Sequence, residues 1–128
     1  MKLAQGWRLF AFEPFGERLA ALKREVERLQ VVPSNPDHSD FRVGHTLGAG
    51  YAHWRRVKRG LPARYRLFYR FSTRPMKIIV YAWLNDEATL RKTGAKTDVY
   101  AVFRRMLARG EVPSDIQDLT KRSRDLGE

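Results

Sequence analysis

The stretch that decides the fold is Trp54–Trp83, WRRVKRGLPARYRLFYRFSTRPMKIIVYAW. It contains three runs rich in β-branched and aromatic residues, at Trp54–Arg59, Arg64–Phe71 and Lys77–Trp83. The two connections between these runs are rich in turn-forming residues and are four and five residues long. Because connections this short join neighbouring antiparallel strands, the stretch predicts a three-stranded antiparallel meander.

Segments on both sides of the meander add one strand and two helices. The aromatic run Trp7–Phe12 predicts a first strand that ends before Pro14. Apolar residues then recur every three or four positions from Phe15 to Leu29, which predicts an amphipathic helix. A last helix is predicted over Asp98–Arg109, with Thr97 as its N-cap. This order predicts an α+β domain in which a single antiparallel sheet, made of the first strand and the meander, packs with the two helices.

The rest of the chain is expected to contain little regular structure. Asn85 or Asp86 can cap a short helical turn that runs to Leu90. Residues 111–128 are mostly polar and follow a helix-ending glycine, so we expect a folded domain at residues 1–110 and a flexible tail at 111–128. A length of 128 residues fits one such domain.

Charge is the most informative bulk property of the chain. Lys and Arg number 25 against 14 Asp and Glu, for a net charge of +11. Such an excess favours nucleic acid, an acidic membrane or an acidic protein as the partner. The sequence has no apolar run near the roughly 18 residues that span a membrane, and no secretory signal, so a cytoplasmic protein without a membrane partner is expected.

The residues that usually hold metal ions are scarce or poorly spaced. Cysteine is absent, which excludes disulfides, thiolate nucleophiles and cysteine-based zinc sites. The three histidines, His38, His45 and His53, lack the spacing of a metal-binding pair. The sequence therefore predicts neither a metal site nor a cofactor.

The alternation of side chains along a strand places a cluster of cations on one face of the meander. On that face we expect Arg56 and Lys58 beside Trp54 from the first run, and Arg64, Arg66, Phe68 and Arg70 from the second. Like charges on neighbouring strands repel each other, so a domain that keeps them is expected to use them. Phosphates bind such cations, and unpaired bases stack on aromatic rings, so the face is predicted to bind RNA. The alternative is an ordinary solvated strand face.

Such a surface has the groups for RNA cleavage without a metal ion, in which the ribose 2′-hydroxyl attacks the adjacent phosphate. Arginine supplies charge to the transition state but stays protonated and cannot act as a base. A lysine crowded by arginines is a candidate base, and a tyrosine can give its proton to the departing 5′-oxygen. His53 is the alternative base, because histidine titrates near neutral pH. Since Lys and Tyr are weaker acid–base groups at that pH, we expect a slow enzyme or one aided by a partner such as the ribosome.

Several segments of the chain are similar to those of one known family. They are Gly6–Leu9, Trp54–Lys58, Arg64–Arg70, Trp83–Glu87 and Lys96–Phe103. In this order and at this spacing, from about Gly6 to Gly110, they resemble the YhaV toxins, which belong with the RelE-like ribonucleases. The resemblance implies an mRNA-cleaving endoribonuclease, acting on the ribosome or free of it, that inhibits translation and growth. It also implies a partner, an AbrB-like (PrlF-type) antitoxin that neutralises the toxin.

The resemblance also implies a set of catalytic residues. Arg56 and Lys58 match two basic residues that the RelE-like pattern places on the strand before the hairpin, and Arg66 matches the arginine of a Tyr-Arg-Leu segment. Tyr100 matches a tyrosine near the start of the last helix, and becomes the candidate proton donor. The RelE-like pattern has a further basic residue ahead of that helix. Arg91 and Lys96 could both match it, and both are candidates for RNA binding.

The chain departs from the family pattern in one region. The segment at residues 30–41 is short and broken by prolines, whereas family members usually have a longer helical region at this place. The difference affects the surface that is expected to contact the antitoxin. His45 and His53 fall outside the family's dependable positions, which argues against a histidine base. Two alternatives remain open: a basic module that binds RNA or DNA without cutting it, and a degraded family member that keeps only an interaction role.

Overall fold

A computed structural model of the chain describes residues 6–15, 35–44, 46–59 and 61–126. This part of the chain contains five strands and two helices: β1 (Arg8–Phe12), β2 (Arg55–Val57), β3 (Leu67–Ser72), β4 (Ile78–Leu84), α1 (Val99–Ala108), α2 (Ile116–Lys121) and β5 (Ser123–Asp125). Short 3₁₀ turns lie at Glu13–Phe15, Ser39–Phe41 and Glu87–Thr89. The predicted amphipathic helix falls outside the described residues, apart from Phe15. Neither helix that the structure describes is long and apolar enough to cross a membrane.

The strands form one sheet in the order β2-β3-β4-β1-β5. The β2–β3 and β3–β4 pairs are antiparallel, as is the β1–β5 pair. The β1–β4 pair is parallel, with Arg8 opposite Ile78 and Ala11 opposite Tyr81. The sheet is therefore mixed, and the expectation of an entirely antiparallel sheet is wrong. After β1, a long connection leads to β2 at the far edge of the sheet. Because β2 pairs antiparallel with β3, and β3 with β4, both β2 and β4 run in the same direction as β1.

The segment that was expected to be a polar tail contributes a helix and an edge strand. In α2 and its flanks, Val112 and Leu119 are fully buried, and Leu126 is 7% exposed. β5 then pairs with β1, with Asp125 opposite Phe10. Sequence analysis missed these elements because their apolar residues are few and widely spaced among charged ones.

The sheet has an apolar core on each face. On one face, α1 packs through Phe103, whose ring stacks on Phe68 and Trp83 with centroids 4.2 and 5.6 Å apart. Trp54 meets the same ring edge-on at 5.0 Å. The opposite face buries a second cluster that includes Trp7, Phe41, Tyr69, Ile79 and Tyr81. Trp7, Tyr81 and Trp83 are all buried in these two clusters.

The residues that begin the helical segments differ in part from those predicted. The side chain of Asp98 accepts a hydrogen bond from Tyr100 N, so Asp98 rather than Thr97 is the N-cap of α1. Asp86, and not Asn85, caps the turn at Glu87–Thr89. α1 starts at Val99, and its first turn therefore presents Tyr100 to the sheet.

Candidate active site

Three guanidinium groups meet around one phenol. The hydroxyl oxygen of Tyr100 accepts hydrogen bonds from Arg56 Nε at 2.8 Å and from Arg66 Nε at 3.3 Å. The guanidinium of Arg91 lies over the Tyr100 ring, 4.7 Å from its centroid. Arg56 comes from β2, Arg66 directly precedes β3, and Arg91 lies in the loop before α1. The structure thus brings together three of the four residues predicted to be catalytic, with Arg91 as a fourth member of the cluster.

The position of this cluster follows from the strand register and from α1. Arg56 is paired with Phe68 across the β2–β3 ladder. Arg66 precedes Phe68 by two residues and therefore points to the same face. Tyr100 reaches that face because its ring packs edge-on against Phe68, with centroids 5.6 Å apart. The aromatic packing of α1 therefore positions the phenol between the two arginines.

Backbone carbonyls fix the two arginines that hold the phenol. Arg56 Nη1 donates to Asp40 O at 2.8 Å, and Arg66 Nη1 donates to Tyr65 O at 2.8 Å. These bonds and those to Tyr100 engage two of the five N–H groups of each guanidinium. The remaining N–H groups can bind phosphate oxygens. Because the phenol oxygen accepts two hydrogen bonds, its own hydrogen is the group that it can give to a third partner.

Asp98 connects the cation cluster to the start of α1. Its carboxylate is 4% exposed and accepts hydrogen bonds from Arg91 Nη1 at 2.8 Å, Lys92 N at 2.6 Å and Tyr100 N at 3.1 Å. One side chain therefore fixes both Arg91 and the first turn that carries Tyr100. In the sequence, Asp98 was predicted only to be the first residue of the last helix. The available signal was an acidic residue two positions before the candidate tyrosine.

Asn85 holds the backbone at the point where Arg66 enters the sheet. It is fully buried, and its Oδ1 accepts a hydrogen bond from Arg66 N at 2.7 Å. Its Nδ2 donates to Arg64 O at 3.1 Å and to Thr89 O at 2.9 Å. Arg64 itself has a φ of 71°, which a residue with a side chain rarely adopts. Asn85 therefore stabilises a strained approach to β3 that the sequence does not reveal.

Replacing Asn85 with alanine is expected to lower the free energy of unfolding by about 2–4 kcal/mol. The substitution removes three hydrogen bonds and leaves Arg66 N, Arg64 O and Thr89 O without this partner. Equilibrium urea denaturation followed by circular dichroism measures the effect. The exposed Asn35→Ala is the matched control, with an expected change within about 0.5 kcal/mol. Equal stability of the two variants would contradict the role of Asn85.

The other predicted cations lie around this cluster without joining the phenol. Lys58, one residue after β2, and Arg64 are exposed, and so is the alternative base His53. Of the two candidates ahead of α1, Arg91 contacts Tyr100, whereas Lys96 is exposed and its carbonyl accepts a hydrogen bond from an arginine of α1 at 2.7 Å. Geometry therefore favours Arg91 as the additional basic residue of the cluster.

Three residues that were predicted to bind RNA are engaged in structural contacts instead. Trp54 and Phe68 are fully buried, so their predicted role as platforms for bases is wrong. α1 covers the middle of this sheet face, where Phe103 stacks on Phe68 and meets the ring of Trp54. Arg70 lies at the other end of β3, donates to Ser114 O and sits 5.9 Å from the ring centroid of Trp54. Burial lowers the pKa of Arg70 below its ordinary value, and its guanidinium is engaged in a structural contact.

Comparison with known proteins agrees with the resemblance seen in the sequence. The profile of a family described as "Toxin with endonuclease activity, of toxin-antitoxin system" matches residues 2–124. The chain is 38% identical over 146 aligned positions to the Ribonuclease toxin YhaV of Escherichia coli K12, with 94% of each chain covered. Toxin YhaV of Escherichia coli O157:H7 matches to the same extent.

The alignment with these relatives is longer than the 128 residues of the chain, so the relatives carry residues that this chain lacks. No solved structure matches the chain. The family match nevertheless extends over nearly all of its length. The chain therefore belongs to the YhaV family, the toxins with endonuclease activity of toxin–antitoxin systems.

Proposed function

We propose that this chain is an endoribonuclease that cleaves mRNA without a metal ion, by attack of a ribose 2′-hydroxyl on the adjacent phosphate. The observation that carries this proposal is the Tyr100 hydroxyl, held between Arg56 and Arg66 with Arg91 over its ring. The family description supplies the endonuclease activity, and the Escherichia coli K12 relative is named a ribonuclease. RNA suits this site because it carries its own nucleophile, so the protein needs only charge, an acid and a base.

In the proposed mechanism, the 2′-oxygen forms a bond to phosphorus and the bond from phosphorus to the 5′-oxygen breaks. Tyr100 gives its proton to the departing 5′-oxygen, while Arg56 and Arg66 stabilise the negative charge on the phosphorane. The phenolate that remains keeps two charge-assisted hydrogen bonds from these arginines. Lys58, on the side of β2 that carries Arg56, takes the proton of the 2′-hydroxyl, with His53 as the alternative base. The products are a 2′,3′-cyclic phosphate and a 5′-hydroxyl.

Within residues 6–15, 35–44, 46–59 and 61–126, no three His, Asp or Glu side chains lie close enough together to hold a metal ion. Phenols and alkylamines ordinarily titrate well above neutral pH, so the uncomplexed enzyme is expected to be slow. We therefore propose that the ribosome, by presenting mRNA in a fixed geometry, raises the cleavage rate.

The proposed physiological setting is a cytoplasmic toxin held inactive by an antitoxin. The family description requires an antitoxin in the system. The net charge of +11 favours an acidic partner segment over the cation cluster, and the resemblance points to the AbrB-like type. Release of this partner would expose the Tyr100 site to mRNA.

The products of RNA cleavage test the proposed function. Purified toxin treated with EDTA is incubated with a defined RNA, and with the same RNA carrying a 2′-deoxyribose at the cut position. We expect cleavage of the first RNA to 2′,3′-cyclic phosphate ends, and no cleavage at the modified position. Loss of activity in EDTA with recovery in Mg²⁺, or 5′-phosphate ends, would contradict the mechanism. Binding of both RNAs without cleavage would instead support the non-catalytic RNA-binding alternative.

A further inference from the structure

A groove of about 410 Å³ opens at the end of the sheet farthest from Tyr100. It is lined by the start of β1, by the hairpin between β3 and β4, and by α2. Arg66 precedes β3 and contacts Tyr100, whereas Ser72 ends β3 and lines the groove. Six residues of extended strand separate the two positions by roughly 20 Å. The groove is therefore a surface distinct from the proposed active site.

The floor of the groove is apolar. It is formed by Phe10, Ile78 and Ile116, with Pro75 and Met76 along one side. Met76 is 45% exposed and is the large apolar side chain left most open to solvent in the described part of the chain. Flexible methionine side chains adapt to apolar partners, and an exposed one beside half-buried isoleucines is typical of a binding surface.

The rim of the groove is positively charged. The charged side chains that line it are Arg8, Arg74 and Lys121, and none of the lining residues is acidic. Asp125 lies 2.9 Å from Arg8 and offsets part of that charge. Arg74, in the β3–β4 hairpin, and Lys121, at the end of α2, line the groove and are exposed. An apolar floor beside exposed cations is complementary to a peptide that carries large apolar side chains flanked by carboxylates.

We propose that this groove is the docking site for an apolar, acidic segment of the antitoxin. The proposal rests on the proposed neutralisation of the toxin by its antitoxin, and it names the surface that holds the partner. The volume of the groove lies within the ~300–1,000 Å³ of typical binding pockets. RNA fits the groove less well, since the one ring that lines it, Phe10, is 8% exposed and offers little surface for a base.

The separation of groove and active site makes the proposal testable with single substitutions. Met76→Glu introduces a carboxylate beside the apolar floor, and Lys121→Glu reverses one charge of the rim. The probe is the full-length cognate antitoxin, and its Kd is measured by calorimetry with the full toxin chain. We expect each variant to weaken antitoxin binding by at least about tenfold. RNA cleavage in the absence of antitoxin is expected to stay at the wild-type rate, because both residues lie far from Tyr100.

Arg109→Glu is the matched control, because Arg109 is the C-cap of α1, Lys121 is the last residue of α2, and both are exposed. Its Kd is expected to change less than about twofold. The proposal is overturned if the groove variants bind antitoxin as wild type does, or lose no more affinity than this control. It is also overturned if they lose RNA cleavage and keep antitoxin binding. Absence of RNA cleavage by the wild-type toxin would contradict the proposed function alone, since the antitoxin affinities are measured independently.

Discussion

Tyr100→Phe is expected to lower the rate of RNA cleavage by about 10³-fold, because it removes the proton donor for the departing 5′-oxygen. The ring of Tyr100 is 4% exposed and packs on Phe68, so phenylalanine keeps the packing and removes only the hydroxyl. Arg56 and Arg66 also lose a common acceptor, but they keep their bonds to backbone carbonyls. Single-turnover cleavage of a labelled RNA measures the loss in the chemical step, and a filter-binding assay shows whether RNA affinity is retained.

Tyr69→Phe is the matched control for this experiment. Tyr69 is equally buried and donates a hydrogen bond to Pro36 O at 2.6 Å, but it lies on the opposite face of the sheet. Its loss is expected to cost about 1 kcal/mol of stability and to leave the cleavage rate of the folded protein unchanged. Similar cleavage by Tyr100→Phe and wild type would show that another group supplies the proton, and the assignment of Tyr100 would then be wrong.

The sequence predicted the arginine half of the site because strand geometry determines it. Alternation along two short strands was enough to place Arg56 and Arg66 on one face, and their connection was short enough to make them neighbours. Tyr100 came only from the family resemblance, since it lies 34 residues beyond Arg66 and no local pattern links them. The contact depends on how α1 crosses the sheet, which is a tertiary property.

Trp54 and Phe68 show where the same alternation argument fails. Alternation correctly placed both on the face that carries Arg56 and Arg66, but it does not say which part of a face another element covers. Phe103 of α1 stacks on Phe68 and meets Trp54, so the middle of the face belongs to the core. A face that is both apolar and cationic therefore indicates partial coverage by a helix.

The elements that sequence analysis missed depend on distant partners. β5 is three residues long and contains no strong strand former, and it is a strand because β1 offers an open edge. The parallel β1–β4 pair likewise depends on the path of the chain between β1 and β2. Asn85 and Asp98 gain their roles from the backbone groups that surround them, and these groups are brought together only by the fold.

Asp98→Asn is expected to lower the cleavage rate of the folded protein by about 10²-fold, because asparagine keeps one role of this side chain, the helix cap, and loses the other, the acceptor for Arg91. Asparagine caps a helix about as well as aspartate, so the hydrogen bond to Tyr100 N is retained. The ion pair with Arg91 is lost, and the guanidinium is then free to leave its place over the Tyr100 ring. Asp98 is therefore a positioning residue, which acts on the site through Arg91. Single-turnover cleavage measures this role, and urea denaturation measures its role as the helix cap.

The control for Asp98→Asn is the same change at Asp115, the N-cap of α2, which accepts a hydrogen bond from Asp118 N at 3.1 Å and has no link to Tyr100. It is expected to leave cleavage unchanged. If Asp98 acts through Arg91, then Arg91→Ala should reduce cleavage to a similar extent, and the double variant should be little slower than either single one. A purely structural Asp98 would instead give additive losses that follow the free energy of unfolding, because a weakened cap lowers activity only by lowering the folded fraction.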